Sequence, residues 1–111
     1  MSVSTAYKIL TSAQWADWQA TGVFVGAPVD LVDGYIHMST ADQVTETADK
    51  HFAGHDGLFV VRIDLHALGG MICWEPSRGG ALFPHAYAPL PLATALAAVP
   101  LIRKNGAVIL P

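Results

Sequence analysis

Two short stretches of the chain hold most of the side chains that are able to act on a ligand. The first is Gly34–Ala41, in which Tyr35, His37 and Ser39 alternate with apolar residues. Successive side chains of a strand point to opposite faces, so a strand here places these three polar side chains together. A helix is expected to follow, and the N–H groups at its beginning favour anions. The stretch predicts a polar-ligand site; in the alternative, Ser39 and Thr40 only cap that helix and His37 is a buried, hydrogen-bonded histidine.

The second stretch is Trp74–Tyr87. If it begins in a strand, Glu75 and Trp74 point to opposite sides, and we expect Trp74 to pack in the core. Glu75 is then left on the polar face as a candidate catalytic carboxylate. His85 and Tyr87 share one face of the extended segment that follows, and both are candidate ligand contacts. The alternative places Tyr87 and Phe83 in the core.

Arg78 lies between these groups, directly before Gly79 and Gly80. A guanidinium group binds phosphate or carboxylate through two parallel hydrogen bonds. Two consecutive glycines allow unusual backbone angles or a close approach of a ligand to the backbone. Arg78 is therefore a candidate ligand-binding residue, and the alternative is an ion pair with Glu75 that braces a turn.

Metal and thiol chemistry are not predicted. His37, Glu75 and His85 are the residue types of a two-histidine, one-carboxylate metal site, but they are far apart in sequence and lack a local ligand spacing. Cys73 is the single cysteine, which excludes an internal disulfide. A lone cysteine within an apolar strand is usually part of the core, so Cys73 is not expected to be a nucleophile.

The elements that position the first stretch follow from capping signals. Tyr7–Leu10 predicts a strand, and Thr11 with Gln14 forms a capping box that begins a helix ended by Gly22. Val23–Gly34 is rich in glycine, proline and aspartate and predicts a loop with little regular structure.

The later elements are mostly strands. Thr40 with Gln43 predicts a second helix from Ala41 to Phe52. The further strands are expected at Leu58–Leu65, Met71–Glu75 and Phe83–Tyr87. Leu92–Leu101 is compatible with a strand or a helix, and flanking prolines favour the strand. Asn105-Gly106 is typical of a tight hairpin turn. Two early helices and several late strands predict an α+β fold.

The composition limits the function classes. The chain has 111 residues, 52% of them hydrophobic and 14% charged, which predicts a single domain over residues 1–111. Because the net charge is −3 and no basic run occurs, stable nucleic-acid binding is not expected. No signal peptide or membrane-spanning run is visible, so we expect a cytoplasmic protein without a membrane partner. The sequence leaves the oligomeric state open.

The two stretches together resemble a known family. Gly34–Ala41, Trp74-Glu75 with Ser77–Gly80, and Phe83–Tyr87 are similar to the small bacterial family called domain of unknown function 952. Tyr7-Lys8-Ile9, Trp15 and Pro89–Leu92 extend the resemblance over nearly the whole chain. It implies a fold similar to that of the ADP-ribosyltransferases: a split, mainly antiparallel β core with two flanking helices that binds NAD in a cleft.

Within that superfamily, Ile36–Ser39 is similar to the His-x-His-Leu-Ser strand of the RNA 2′-phosphotransferases. His37 and Ser39 match the second histidine and the serine, whereas Tyr35 stands in place of the first histidine. Glu75 resembles the catalytic glutamate of other transferases, although its sequence context differs.

The resemblance implies an NAD-dependent, ADP-ribosyltransferase-like transferase with NAD as co-substrate. Glu75 would stabilise the oxocarbenium-like transition state, and His37 with Ser39 would hold the ribose hydroxyls. Arg78 would bind a phosphate, and Tyr87 or Trp74 would stack on a ring of the ligand. The alternative is a non-catalytic module that binds a small molecule or nucleotide, and the residues leave the choice between enzyme and binder open.

Overall fold

Two antiparallel three-stranded sheets form the centre of the protein. The computed structural model describes residues 3–111, and for Arg78 it describes the backbone alone. The first sheet has the order β1-β4-β8, formed by Thr5–Thr11 (β1), Leu58–Asp64 (β4) and Ala95–Pro100 (β8). The second has the order β3-β6-β5, formed by Ile36–His37 (β3), Ile72–Pro76 (β5) and Leu82–Ala86 (β6). The predicted α+β class with mainly antiparallel sheets is confirmed.

Two short strand pairs complete the β structure. Val23–Phe24 (β2) pairs with Leu90–Pro91 (β7), and Arg103–Lys104 (β9) pairs with Ala107–Val108 (β10). Between β9 and β10, Asn105 has φ 54° and Gly106 has φ 83°. Positive φ at both central residues is the requirement of a type I′ hairpin turn, which confirms the prediction made from Asn105-Gly106.

The described residues form four α-helices: α1 (Ser12–Thr21), α2 (Pro28–Asp33), α3 (Val44–His51) and α4 (Leu65–Leu68). The capping box of α1 is present, with Thr11 Oγ1 accepting from Gln14 N at 3.1 Å and Gln14 Oε1 accepting from Thr11 N at 2.9 Å. Gly22 ends α1 at φ 82°, as predicted. Among the described residues, no helix has the length and apolar character needed to cross a membrane.

The predicted second helix begins later than expected. Thr40 N does donate to Gln43 Oε1 at 3.0 Å, but residues 41–43 form a turn and α3 starts at Val44. Gln43 Nε2 donates to the carbonyl of Leu82 in β6 at 2.8 Å, so a tertiary contact also holds this side chain. The predicted range Ala41–Phe52 was therefore too long, because the box closes a turn that precedes the helix.

The prediction of a loop over Val23–Gly34 was wrong, since this segment contains β2 and α2. Pro28 occupies the first turn of α2, where its missing N–H costs nothing and its φ suits a helix. Asp30 accepts from Ala27 N at 2.8 Å and so satisfies one of the free N–H groups at the helix beginning.

Helices cover both faces of the sheet β1-β4-β8. On one face, Trp18 of α1 packs in a core that also contains Leu10 and Ile63. On the other face, Val44 of α3 packs in a second cluster with Val60. Because helices pack on both faces of the sheet, β4 has consecutive buried apolar residues, Val60 and Val61, rather than one solvent-exposed polar face.

The two sheets meet at Ser39. Tyr7 N donates to Ser39 O at 2.8 Å, and Ser39 N donates to Tyr7 O at 2.9 Å, which joins the segment after β3 to β1. Two residues earlier, His37 pairs with His85 of β6. The chain thus leaves one sheet and joins the other within three residues, and a cleft opens beside this crossing.

Candidate functional site

A cleft of about 560 Å³ lies between β1, α3 and the sheet β3-β6-β5. Its volume falls within the range of about 300–1,000 Å³ that is typical of small-molecule sites. The polar side chains in its wall include Lys8, His37, Ser39, Thr47 and His85. Three of the predicted site residues therefore line one cleft.

Strand alternation brings five predicted site residues to one face of the sheet β3-β6-β5: Tyr35, His37, Glu75, His85 and Tyr87. His37 and His85 are register partners, and their ring centroids are 5.4 Å apart. The ring of Tyr35 stacks on His85 at 4.2 Å and lies 5.3 Å from Tyr87. The shared face predicted within each stretch is present, and the structure also brings the two stretches together; the contact of these residues with a ligand stays a prediction.

His37 is held on both sides by carboxylates. Its Nδ1 lies 2.6 Å from Asp30 Oδ1, and its Nε2 lies 2.9 Å from Asp33 Oδ2. Its backbone N–H also donates to Asp30 Oδ1 at 3.1 Å. These contacts fix the orientation of the imidazole ring, whose side chain remains 30% exposed.

Lys8 and Asp30 form a buried ion pair next to His37. Lys8 Nζ lies 3.0 Å from Asp30 Oδ2, and both residues are buried. Burial lowers the pKa of Lys8, and the attraction of Asp30 opposes this change. Burial alone would raise the pKa of Asp30, but the charge of Lys8 and the hydrogen bonds from His37 and Ala27 outweigh it and lower the pKa. Asp30 is thus an ionised acceptor that joins β1, α2 and β3.

The sequence interpretation missed Lys8 and Asp30, although a signal existed for each. Lys8 lies between Ala6 and Leu10 on the core face of β1, and both neighbours are fully buried. A lysine in that position needs a buried partner. Pro28 followed two residues later by Asp30 is a helix-beginning pattern that would have placed the carboxylate in α2.

His85 is held by a second carboxylate. Its Nδ1 lies 2.8 Å from Glu75 Oε1, and Tyr87 Oη donates to the same oxygen at 2.7 Å. The hydrogen bonds from His85 and Tyr87 lower the pKa of Glu75. The hydrogen bond to Glu75 raises the pKa of Tyr87 to about 12. Glu75 is not among the described residues that line the cleft, so it reaches the cleft through His85.

The side chain of His85 is only 3% exposed. Within the described part of the chain, its buried Nε2 has no hydrogen-bond partner. In the same part of the chain, no group of three or more His, Cys, Asp and Glu side chains is arranged to hold a metal ion. His37 and His85 thus contact carboxylates, and the ring of His85, which lines the cleft, has a buried nitrogen with no partner among the described residues.

Ser39 lines the cleft but is 5% exposed. Its Oγ lies 2.9 Å from the hydroxyl of Thr47, in the middle of α3. The alternative in which Ser39 caps the helix beginning is therefore wrong, because its hydroxyl contacts a later turn.

Two packing predictions were wrong. Trp74 was expected in the core but is 39% exposed, and Cys73 is exposed as well. Both belong to β5, which is an edge strand of its sheet and pairs with β6. An edge strand is covered less completely than a central one, so apolar character alone did not indicate burial.

The side chain of Arg78 is not among those that the structure describes. Its predicted ligand contact and its alternative ion pair with Glu75 therefore stay predictions. Gly79 and Gly80 have φ values of 66° and 79°. These left-handed conformations confirm the expectation of unusual backbone angles next to Arg78.

Comparisons with known proteins agree with this architecture. The crystal structure of protein CC0527 from Caulobacter crescentus is 41% identical, with a TM-score of 0.87 over 95% of this chain and 92% of that chain. The solution NMR structure of CC0527 is 40% identical, with a TM-score of 0.81 over 96% of this chain and 91% of that chain. A comparison with curated proteins finds no match. Residues 9–98 match the family model described as "Protein of unknown function (DUF952)", so the chain belongs to the DUF952 family.

Proposed function

We propose that the cleft binds a nucleotide and that the chain is an ADP-ribosyltransferase-like transferase with NAD as co-substrate. One observation carries this proposal: two histidines, each held at Nδ1 by a carboxylate, line the wall of one cleft. Histidines oriented in this way are the usual groups for proton transfer and for binding hydroxyls. NAD is the ligand implied by the resemblance to the ADP-ribosyltransferases.

In ADP-ribosyl transfer, the bond between ribose C1′ and the nicotinamide nitrogen breaks, and nicotinamide leaves with the electron pair. The acceptor then bonds to C1′ and loses its proton to a base. In the proposed site, the ribose hydroxyls lie beside His37 and Ser39, with a hydroxyl taking the place of the exposed Asp33 at His37 Nε2, while His85 lies at the reacting centre. Glu75 acts through His85, which it orients, and its negative charge stabilises the oxocarbenium-like transition state.

The remaining predicted residues are assigned to ligand binding. The rings of Tyr35 and Tyr87 line a neighbouring small pocket and not the cleft itself. The ring of Tyr87 is 46% exposed and would stack on a base that extends there, whereas Tyr35 already stacks on His85. Arg78 stays the predicted phosphate contact.

A second candidate function is a non-catalytic module that binds a nucleotide or another small molecule. It is favoured by the contacts of His37, because both ring nitrogens are already engaged by carboxylates. Such a ring is a fixed binding group with no free nitrogen for proton transfer. This function predicts binding without turnover.

Calorimetric titration with NAD tests the shared claim of both candidates. We expect saturable binding that is lost in His37→Ala and retained in His66→Ala, which changes an exposed histidine that is not among the described cleft residues. Absence of binding at millimolar NAD would contradict the proposal. Binding undiminished in His37→Ala would show that NAD binds somewhere other than this cleft.

Release of nicotinamide from NAD, with water as acceptor, separates the enzyme from the binder. The transferase predicts release that is abolished in Glu75→Gln while calorimetric binding stays nearly intact. Binding without release in the unaltered protein would favour the module.

A further inference from the structure

His85 Nε2, which has no hydrogen-bond partner among the described residues, indicates which chemical group a ligand presents to it. The side chain is 3% exposed, its ring belongs to the cleft wall, and Nε2 has no partner among the described residues. A buried polar atom without a partner is unfavourable, and native proteins pair nearly all such atoms. Because the ring of His85 lines the cleft, a ligand that reaches Nε2 from the cleft would supply the missing partner.

The other ring nitrogen determines what Nε2 is able to do. Glu75 Oε1 accepts from Tyr87 Oη at 2.7 Å and lies 2.8 Å from His85 Nδ1. An ionised carboxylate only accepts hydrogen bonds, so the proton of this contact belongs to Nδ1. The hydrogen bonds of His85 and Tyr87 lower the pKa of Glu75 and so favour its ionised form. In the neutral ring with hydrogen on Nδ1, Nε2 is an acceptor.

We infer that the ligand presents a hydrogen-bond donor, a sugar hydroxyl rather than a phosphate oxygen, to His85 Nε2. The inference rests on the proposed function only because it requires that the cleft binds a ligand. Its new content is that the sugar of a nucleotide, and not a phosphate, lies against His85 of β6. Phosphate and carboxylate oxygens without hydrogen are acceptors, so a lone pair on Nε2 disfavours them at this point.

The groups around His85 favour this tautomer. Glu75 and Tyr87 are on its Nδ1 side, Tyr35 stacks on the ring, and Cys73 is its register partner in β5. The ring of His37 lies 5.4 Å away on β3. Glu75 is the one carboxylate within hydrogen-bond distance of the ring among the described residues, so it specifies which nitrogen carries hydrogen.

Nitrogen-15 NMR of the histidine side chains tests the tautomer without any ligand. In the unaltered protein at pH 8, we expect His85 to carry hydrogen on Nδ1 and a lone pair on Nε2, with the signal assigned by its absence in His85→Gln. Glu75→Gln should weaken this preference, because an amide is able to donate as well as accept. The matched control is Glu46→Gln, which changes an exposed carboxylate paired with Lys50 at 3.2 Å and should leave His85 unchanged.

The four other histidines of the chain report in the same spectra whether each variant is folded. Hydrogen on Nε2 in the unaltered protein, in a neutral or a doubly protonated ring, would overturn the inference. So would a folded Glu75→Gln variant that keeps the tautomer preference in full.

Two simple probes test the ligand class. Added D-ribose, which offers hydroxyl donors, should shift the Nε2 resonance of His85 in a saturable manner at pH 8. Inorganic phosphate at the same concentration should not. A resonance that ribose leaves unchanged, or that phosphate shifts as much as ribose does, would overturn the inference. Because neither probe is NAD, failure of NAD to bind is a separate outcome that concerns the proposed function alone.

Discussion

Replacement of Asp30 by asparagine removes the charge that neutralises the buried Lys8. Asp30 is 1% exposed and Lys8 is 7% exposed, and their closest atoms are 3.0 Å apart. The asparagine oxygen is still able to accept from Ala27 N or His37 N, but it carries no negative charge. The main consequence is an ammonium group left in the core without a counter-charge.

The expected magnitude follows from this geometry. Breaking a buried ion pair by removal of one partner costs about 3–5 kcal/mol of unfolding free energy. A domain of this size has a total stability of about 5–15 kcal/mol, so Asp30→Asn should remove a large part of it. In Lys8→Met with Asp30→Asn, neither charge is buried, so we expect the double variant to be more stable than Asp30→Asn by about 2 kcal/mol or more.

Urea unfolding monitored by tryptophan fluorescence measures these differences, because Trp18 of α1 is fully buried in the folded protein. Asp49→Asn is the matched control, since Asp49 is an exposed carboxylate 2.9 Å from Arg103. Its loss should cost about 1 kcal/mol or less. A cost below about 1 kcal/mol for Asp30→Asn, or a double variant less stable than Asp30→Asn, would show that Asp30 does not neutralise a buried charge on Lys8.

Two further predictions concern acid stability and the beginning of α1. Because Asp30 and Glu75 have lowered pKa values in the folded protein, the stability they provide is present above the unfolded pKa of about 4 and is lost as pH falls through the folded values. Urea unfolding at decreasing pH should show this loss, with a shallower slope in Asp30→Asn; an equal slope would contradict it. Thr11→Ala removes the hydroxyl that accepts from Gln14 N and should cost about 1 kcal/mol in the same assay, while Thr11→Ser should be nearly neutral. An equal cost for both changes at Thr11 would show that the cap is not the cause.

The arrangement of the candidate site was largely predictable, because it depends on local strand geometry. The alternation of Tyr35 with His37, and of His85 with Tyr87, defines which side chains share a face whatever the register. Antiparallel pairing of β3, β6 and β5 then brings these side chains and Glu75 together. The pairing itself involves residues distant in sequence, so the sequence predicted the face but not the distances.

The buried ion pair next to the site was not predictable in the same way. Lys8 and Asp30 are 22 positions apart, and their pairing depends on how α2 packs against β1. The local signals at Lys8 and Asp30 indicate burial and helix position, but they do not identify the two residues as partners of each other. The exposure of Trp74 has a similar cause, since it depends on the edge position of β5, which no local pattern specifies.

Mapping of NAD onto the protein by backbone amide NMR tests whether this cleft is the ligand site. We expect the largest shift changes on titration at His37 in β3, at Ser39 directly after β3 and at His85 in β6, all of which line the cleft. Changes centred on another surface, such as the hairpin of β9 and β10, or no changes at millimolar NAD, would contradict it.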